Sequence, residues 1–434
     1  MSKMRIMNIC VFGLWHLGTV TAACLARAGH QVVGLDPDVD TVRLLQSGKP
    51  PLFEPGLEEL IGEQMQAGRL RFTTRPEVAL RGAEIVWVTF DTPVDENDKA
   101  DVEFVMGHVA DLFPVIPSGA LLLVSSQLPV GTTRQLEQKY RAQFPERVLT
   151  FAYSPENLRL GKAIRAFTEP DRVVVGVRGD AEKQRISTLF APITDRIEWM
   201  SVESAEMTKH ALNAFLATSV VFINELATLC EQVGADAREV ECGLKSEARI
   251  GPGAYLKPGG AFAGGTLARD IAFLEALANQ QGIPASLFTS IAASNARHSD
   301  WAYNRASSVL GDLHGKVIAV LGLTYKPGTS TLRRSSAVAL CRKLLEAGAL
   351  VHAHDPMVSA LPSDLNGVNL STSWEDALKG ADALVIATEW PDYKQVTAAL
   401  CVERMHTPVV IDANRFLAAL ESDARIRYYA VGKP

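Results

Sequence analysis

Two short patterns in the sequence carry groups suited to redox chemistry and to acid–base work. The first is Gly13-Leu14-Trp15-His16-Leu17-Gly18, set between the apolar run Ile9–Phe12 and a helical stretch. Glycines at such a point permit a tight strand-to-helix turn, and the backbone N–H groups that open the helix then face the pyrophosphate of a dinucleotide. Asp36 closes the next strand, Val32-Val33-Gly34-Leu35. A carboxylate there accepts from adenosine ribose hydroxyls and favours NAD over NADP. The middle glycine of the usual G-x-G-x-x-G pattern is Trp15, so an indole stands where backbone normally approaches phosphate. The turn reads either as a modified NAD site or as a strand–turn–helix that kept the fold with weak or no cofactor binding. The second pattern is Lys209 and Asn213, four residues apart, which places two donors on one helix face.

Three blocks position these groups. In the first, short apolar runs at Ile9–Phe12, Val32–Leu35, Ile85–Val88, Leu121–Val124, Val148–Phe151 and Val173–Val175 alternate with helical segments. That alternation predicts a mostly parallel, doubly wound sheet. The second block, about Ser201 to Asn304, shows no strand pattern. Its stretch from Ala205 to Val233 is broken by neither Gly nor Pro and holds more apolar residues than one helix face requires, which predicts a helix that packs against a partner subunit. The third block opens at Gly315. Lys316–Gly322 repeats the strand-then-glycine signature, followed by a helix over Leu340–Ala347 and strands at Val351–Asp355, Ala383–Ile386 and Val409–Ile411. The expected architecture is α/β, with two Rossmann-like doubly wound domains (1–200 and 305–434) joined by a central helical domain (201–304).

The bulk properties agree. A chain of 434 residues, 47% hydrophobic and 21% charged, suits two or three globular domains. A net charge of −6 gives no footprint for nucleic acid, so an anionic ligand must meet a local Arg/Lys cluster. No continuous apolar run reaches the roughly 18 residues of a spanning helix, and the opening M-S-K-M-R-I-M-N runs straight into a strand pattern. A cytoplasmic protein without signal peptide or membrane contact is expected. The six cysteines are scattered and read as reduced, mostly buried thiols, Cys242 among them as packing rather than a nucleophile. His352 and His354 read as core or edge histidines, His16 as turn packing, and Asp95-Glu96-Asn97-Asp98 as a solvated loop; no metal site is expected.

Further motifs extend over nearly the whole chain. Ser47-Gly-Lys-Pro-Pro-Leu-Phe-Glu-Pro-Gly56, Thr92-Pro93, Ser125-Ser-Gln-Leu-Pro-Val-Gly-Thr132, Tyr153-Ser-Pro-Glu-Asn-Leu-Arg159 and Ala205-Glu-Met-Thr-Lys-His-Ala-Leu-Asn213 occur in order. They are followed by Arg249-Ile-Gly-Pro, Lys257–Asp270 (K-P-G-G-A-F-A-G-G-T-L-A-R-D), Lys326-Pro327, Arg333-Arg-Ser-Ser336 and Ile411-Asp-Ala-Asn-Arg415. Together they resemble the UDP-glucose/GDP-mannose dehydrogenase family. In that family a cysteine captures the aldehyde made by the first hydride transfer, in a loop reading G-F-G-G-S-C-F-P-K-D; here Thr266 stands in its place. Gln127 replaces a water-positioning threonine, Leu160 a glutamate, and Arg269 the lysine before Asp270.

The resemblance implies roles. Glu156, Lys209, Asn213, Thr266 and Asp270 fall on catalytic positions. Of these, Lys209 and Asn213 steady the alkoxide and oxyanion, Glu156 handles water, and Asp270 serves as the base or positions a water for it. Gly13, Trp15, Gly18, Asp36, Thr92, Gln127 and Arg333 fall on the NAD site, and Arg249, Tyr255, Lys257, Gly264, Lys326 and Arg415 on the sugar nucleotide. The implied activity is oxidation of UDP-glucose or a relative at C6 by a homodimer or larger homo-oligomer. A threonine hydroxyl is essentially un-ionised, and nothing in the local sequence activates it. Two routes remain: oxidation of the hydrated aldehyde, or a halt at the two-electron product. A binding-only paralogue and a redox-assisted epimerase are the alternatives.

Overall fold

The computed structural model describes residues 5–93, 100–156 and 158–434; the Asp95-Glu96-Asn97-Asp98 run, Asn157 and the first four residues lie outside them. The N-terminal sheet holds β1 (Asn8–Phe12), β2 (Gln31–Leu35), β3 (Leu70–Thr73), β4 (Ile85–Val88), β5 (Ala120–Val124), β6 (Leu149–Tyr153), β7 (Val173–Gly176) and β8 (Ile197–Met200). Their order is β3-β2-β1-β4-β5-β6-β7-β8, parallel throughout except for the antiparallel β6–β7 pair. The central strands are apolar without interruption because both faces are covered. Ile9 and Val11 pack into the core on one face of the sheet, Cys10 and Phe12 into the core on the other. The order reverses between β1 and β4, which is where a doubly wound sheet opens its binding crevice.

The C-terminal sheet contains β9 (Val317–Leu321), β10 (Leu350–His354), β11 (Val368–Leu370), β12 (Ala383–Ile386), β13 (Val409–Ile411) and β14 (Arg427–Tyr429), all parallel, in the order β11-β10-β9-β12-β13-β14. Its opening turn repeats the first one. Gly13 N–H donates to Leu35 O at 2.9 Å, and Gly322 N–H to His354 O at 2.8 Å. The acid that ends the second strand differs in what it holds. Asp355 Oδ2 accepts from Leu323 N–H, Thr324 N–H, Thr324 Oγ1 and Trp390 Nε1, all within 3.0 Å. That oxygen is filled from within the protein, so this turn offers no ribose-binding carboxylate of the kind Asp36 presents.

Among the described residues no strand interrupts 201–316. The segment is built from helices Val202–Val233, Ala237–Ser246, Thr266–Gln280, Ser286–His298 and Trp301–Leu310. The chain divides into two compact units, 1–210 and 211–434, with the division inside the long helix Val202–Val233. Within the second unit the C-terminal tail seats on the helices: Gly432 N–H donates to Glu231 Oε1 at 2.9 Å.

Two expectations need correction here. The helix Val202–Val233 is long and apolar enough to cross a membrane by length and composition, although no unbroken apolar run announced it. It buries Glu206, Lys209, His210, Asn213 and Asn224 alongside apolar residues such as Val202, Ile223 and Cys230, and such polar groups sit deep where protein partners meet them. Its excess apolar residues lie on the outside, with Phe215 72% and Val233 76% exposed. Cys242 is exposed rather than packed, while the other five cysteines are buried.

Candidate active site

The cofactor turn is shaped by its two remaining glycines. Gly13 has φ of +96°, and a Cβ on it would lie 2.8 Å from Phe90. Gly18, in the first turn of the helix His16–Arg27, tolerates no side chain, since a Cβ would stand 1.7 Å from the Gly13 carbonyl oxygen. Thr89 Oγ1 donates to that same oxygen at 2.7 Å. Trp15 has φ of −72°, a backbone that any residue adopts, and its indole is 46% exposed. The fold therefore does not need glycine at this middle position. No side chain caps the helix, which leaves its first N–H groups facing outward.

Asp36 is buried and ties the turn to the second strand. It accepts from Leu14 N–H at 2.6 Å and from Asp38 N–H at 2.9 Å. Burial pushes its carboxyl above the ordinary range, and the two N–H groups oppose that shift. Each oxygen keeps a lone pair for a ribose hydroxyl. These residues fit a dinucleotide: the uncapped helix start would hold the pyrophosphate and Asp36 the adenosine ribose, and NAD when bound supplies a hydride acceptor. Trp15→Gly is expected to tighten NAD binding about threefold to tenfold, on the order of 1 kcal/mol, by clearing the indole from the approach. Titration calorimetry measures it; weaker binding would show that the indole is itself a contact.

The carboxyl ends of β5 and β6 carry the next groups. Thr92 Oγ1 donates to Gln127 O at 2.7 Å, which fastens the turn after β4 to the one after β5. Glu156 follows β6 and is gripped from two sides. Lys209 Nζ donates to its carbonyl at 2.6 Å and to Oε1 at 3.1 Å, while Leu158 N–H donates to Oε2 at 2.9 Å. Lys209 is itself placed by its helix: three residues earlier, fully buried Glu206 accepts from Gly131 N–H at 2.6 Å and Thr133 N–H at 3.0 Å. Glu206 thus caps the helix Thr132–Gln143, which accounts for a buried acid in that motif.

His16 and Glu54 were not identified from the sequence as partners. His16 Nε2 donates to Glu54 Oε2 at 3.0 Å, and Glu54 also accepts from Gly161 N–H and Ala163 N–H at 2.8 Å. Burial pushes the Glu54 carboxyl up, but these three donors outweigh it and hold it below the usual carboxylate range. One acid therefore joins the cofactor turn to the segment that follows Glu156. The signal was present as the glutamate of Ser47–Gly56, but its partners lie far away in sequence.

In the second unit, Asn213 Nδ2 donates to Asp270 Oδ2, and Asp270 is 0% exposed. The loop before Asp270 is pinned by amides and a histidine. Asn224 Oδ1 accepts from Gly259 N–H at 3.0 Å, Asn414 Oδ1 from Gly260 N–H at 2.8 Å, and His298 Nε2 donates to Gly259 O at 2.8 Å. Burial lowers the His298 pKa, which keeps it a neutral donor. Asn295 bonds Phe262 through both N–H and C=O, at 3.0 and 2.8 Å. A Cβ on Gly259 would strike Asn414 Oδ1 at 2.2 Å, so this glycine is required for the clamp. Gly264 is partly buried in the same loop, and a Cβ on Gly265 would come to 3.4 Å from the Tyr325 hydroxyl. Thr266 is exposed at the first position of the helix Thr266–Gln280, one turn before Asp270. No hydrogen bond to the Thr266 hydroxyl is found among the described residues.

The remaining expected residues separate into two kinds. Tyr255, Lys257, Lys326 and Arg333 are exposed on loops, and Arg249, also exposed, bonds Glu247 at 3.0 Å. Arg415 is different. Its guanidinium is buried and forms a two-pronged pair with Asp236 at 2.7 and 2.8 Å. This internal pair joins the turn after β13 to the N-terminus of the helix Ala237–Ser246. Among the described residues no group of three or more His, Cys, Asp or Glu is arranged to hold a metal ion.

Comparison with known proteins covers the whole chain. Family models match residues 7–194 as the NAD binding domain, 203–297 as the central domain and 319–419 as the UDP binding domain of the UDP-glucose/GDP-mannose dehydrogenase family. The chain is 33% identical over 444 residues to a UDP-glucose 6-dehydrogenase of Pseudomonas aeruginosa, covering 99% of this chain and 98% of the relative. It is 32% identical over 431 residues to the UDP-glucose 6-dehydrogenase YwqF of Bacillus subtilis, covering 98% of each. The structure of a UDP-glucose dehydrogenase from Pyrobaculum islandicum superposes with a TM-score of 0.87 at 28% identity, over 100% of this chain and 99% of that one.

Proposed function

The chain belongs to the UDP-glucose/GDP-mannose dehydrogenase family, and from that premise we propose that it oxidises a nucleotide sugar at C6 with NAD, without a covalent enzyme intermediate. UDP-glucose is the first substrate to test, because the relatives similar over their full length carry that name. The observations that carry the reading are two bonded dyads, Lys209 with Glu156 in the first unit and Asn213 with Asp270 in the second. Lys209 and Asn213 are the donors that steady an alkoxide or oxyanion. Asp270 takes the C6 hydroxyl proton as the hydride leaves, and Glu156 manages water. Thr266 carries an un-ionised hydroxyl with no base bonded to it.

The aldehyde then takes up water and the gem-diol gives the second hydride. In balance, one primary alcohol, two NAD+ and one water yield one carboxylate, two NADH and three protons. Thr266→Ala should therefore retain acid formation within about threefold of the native rate, measured as NADH from UDP-glucose. A loss of roughly 100-fold, the size expected for an essential group, would show that the hydroxyl takes part. Absence of both NADH and retained NAD in the native protein would favour the binding-only reading. We also propose that the exposed apolar face of the long helix, Phe215, Phe222, Leu229 and Val233, pairs with a second copy of the chain.

A further inference from the structure

In the N-terminal unit lies a cavity of about 70 Å³ whose wall includes Thr21, Trp87, Ser125, Ser154, Glu156 and Phe167. It offers room for about two waters at roughly 30 Å³ each. Most of its hydroxyls are engaged. Ser125 accepts from Trp87 Nε1 at 2.8 Å and donates to Ser154 O, while Ser154 donates to Val174 O at 2.9 Å. Thr21 is the exception: it is fully buried on the helix that opens at the cofactor turn, and its Oγ1 has no hydrogen-bond partner among the described residues. A buried hydroxyl without a partner is costly, and in native proteins ordered water usually meets it.

We propose that this cavity is a water chamber that feeds Glu156, with Thr21 as the group that anchors its water. The inference rests on the hydrate route given above. Both Glu156 oxygens have one donor, from Lys209 and Leu158, and each keeps a lone pair free to receive a proton. A chamber water accepts or donates at Thr21 Oγ1 and donates to Glu156. Its oxygen adds to the aldehyde carbon as one of its protons passes to the Glu156 carboxylate. The other proton stays on the new hydroxyl, and Glu156 returns the proton it took to the former carbonyl oxygen, which completes the gem-diol. A second NAD+, bound after the first NADH leaves, would supply the acceptor for that carbon's hydride, and the base takes a hydroxyl proton, leaving the acid. Glu54 fixes Gly161 and Ala163 in the segment after Glu156. An enzyme without a thiol to hold its aldehyde needs water at hand before the aldehyde leaves, and this chamber supplies it.

Thr21→Val tests the assignment in the full-length enzyme, since valine keeps the β-branched shape and removes only the hydroxyl. With UDP-glucose, and semicarbazide present to trap released aldehyde, Thr21→Val should shift NADH per sugar from two towards one. The burst rate of the first hydride transfer should stay within about twofold, and Thr21→Ser should restore the native ratio. A crystal structure of the native enzyme should show water bonded to Thr21 Oγ1, lost in Thr21→Val. A dry cavity, or an unchanged product ratio in Thr21→Val, overturns the chamber while leaving the hydrate route standing. A native enzyme that itself yields one NADH or none overturns the hydrate route and the chamber's role with it, whatever water the crystal shows.

Discussion

Exchanging Asp270 for asparagine is expected to lower the turnover of NADH formation by about 10²–10⁴-fold, the usual contribution of a positioned acid–base group, while leaving nucleotide binding nearly intact. Asp270 is completely buried one turn after Thr266, and Asn213 donates to it. An asparagine carbonyl can keep that bond, so Asp270→Asn removes the proton acceptor while holding the Asn213 contact. Asp270→Ala goes further. It strands the Asn213 amide in the interior at a cost of about 1–3 kcal/mol, so it should lower the unfolding midpoint where Asp270→Asn does not. Stopped-flow absorbance at the NADH band, with calorimetric binding of NAD and UDP-glucose, separates the two effects. Equal loss of binding and turnover in Asp270→Asn would make the residue a scaffold rather than a base.

Introducing the sulphur that relatives use should have the opposite effect. Thr266 begins a helix, and its side chain stands exposed beside the uncompensated N–H groups of the first turn. A thiol at a helix N-terminus ionises more easily than a free one. Thr266→Cys should accordingly carry a thiol that alkylates faster than the exposed Cys242, and should raise the rate of acid formation by tenfold or more, about 1.4 kcal/mol of barrier. Quenching during turnover should trap a sugar adduct on the loop peptide, visible by mass spectrometry. A variant with an ordinary thiol, no adduct and native rates would mean that the loop no longer places a nucleophile at the reacting carbon.

The parts of the fold that could be read from the sequence share a physical property. The interior strands β1, β4, β5, β9 and β12 are apolar on both faces because helices cover both faces, and they stand out as unbroken runs. The four strands without such a signal, β3, β8, β11 and β14, are the outer strands of the two sheets. Edge strands are half solvated, so Leu70-Arg-Phe-Thr73 and Arg427-Tyr-Tyr429 mix polar and apolar residues over very short lengths. Lys209 and Asn213 were named through the resemblance of Ala205–Asn213 to the family motif, and their shared helix face follows from local spacing. Their acidic partners Glu156 and Asp270 were named as site residues, but their pairing spans about fifty residues and depends on the fold. Arg415, named for the sugar nucleotide, pairs with Asp236, 179 residues earlier, a partnership that depends on the fold in the same way.

The most direct test of an oxidation without covalent capture is the count of NADH formed per UDP-glucose consumed, with the sugar product identified and intact protein mass followed during turnover. The expected result is two NADH per sugar, a C6 carboxylate as product, and a protein mass unchanged throughout. One NADH with accumulated aldehyde, or a sugar ester on Thr266, would contradict the account.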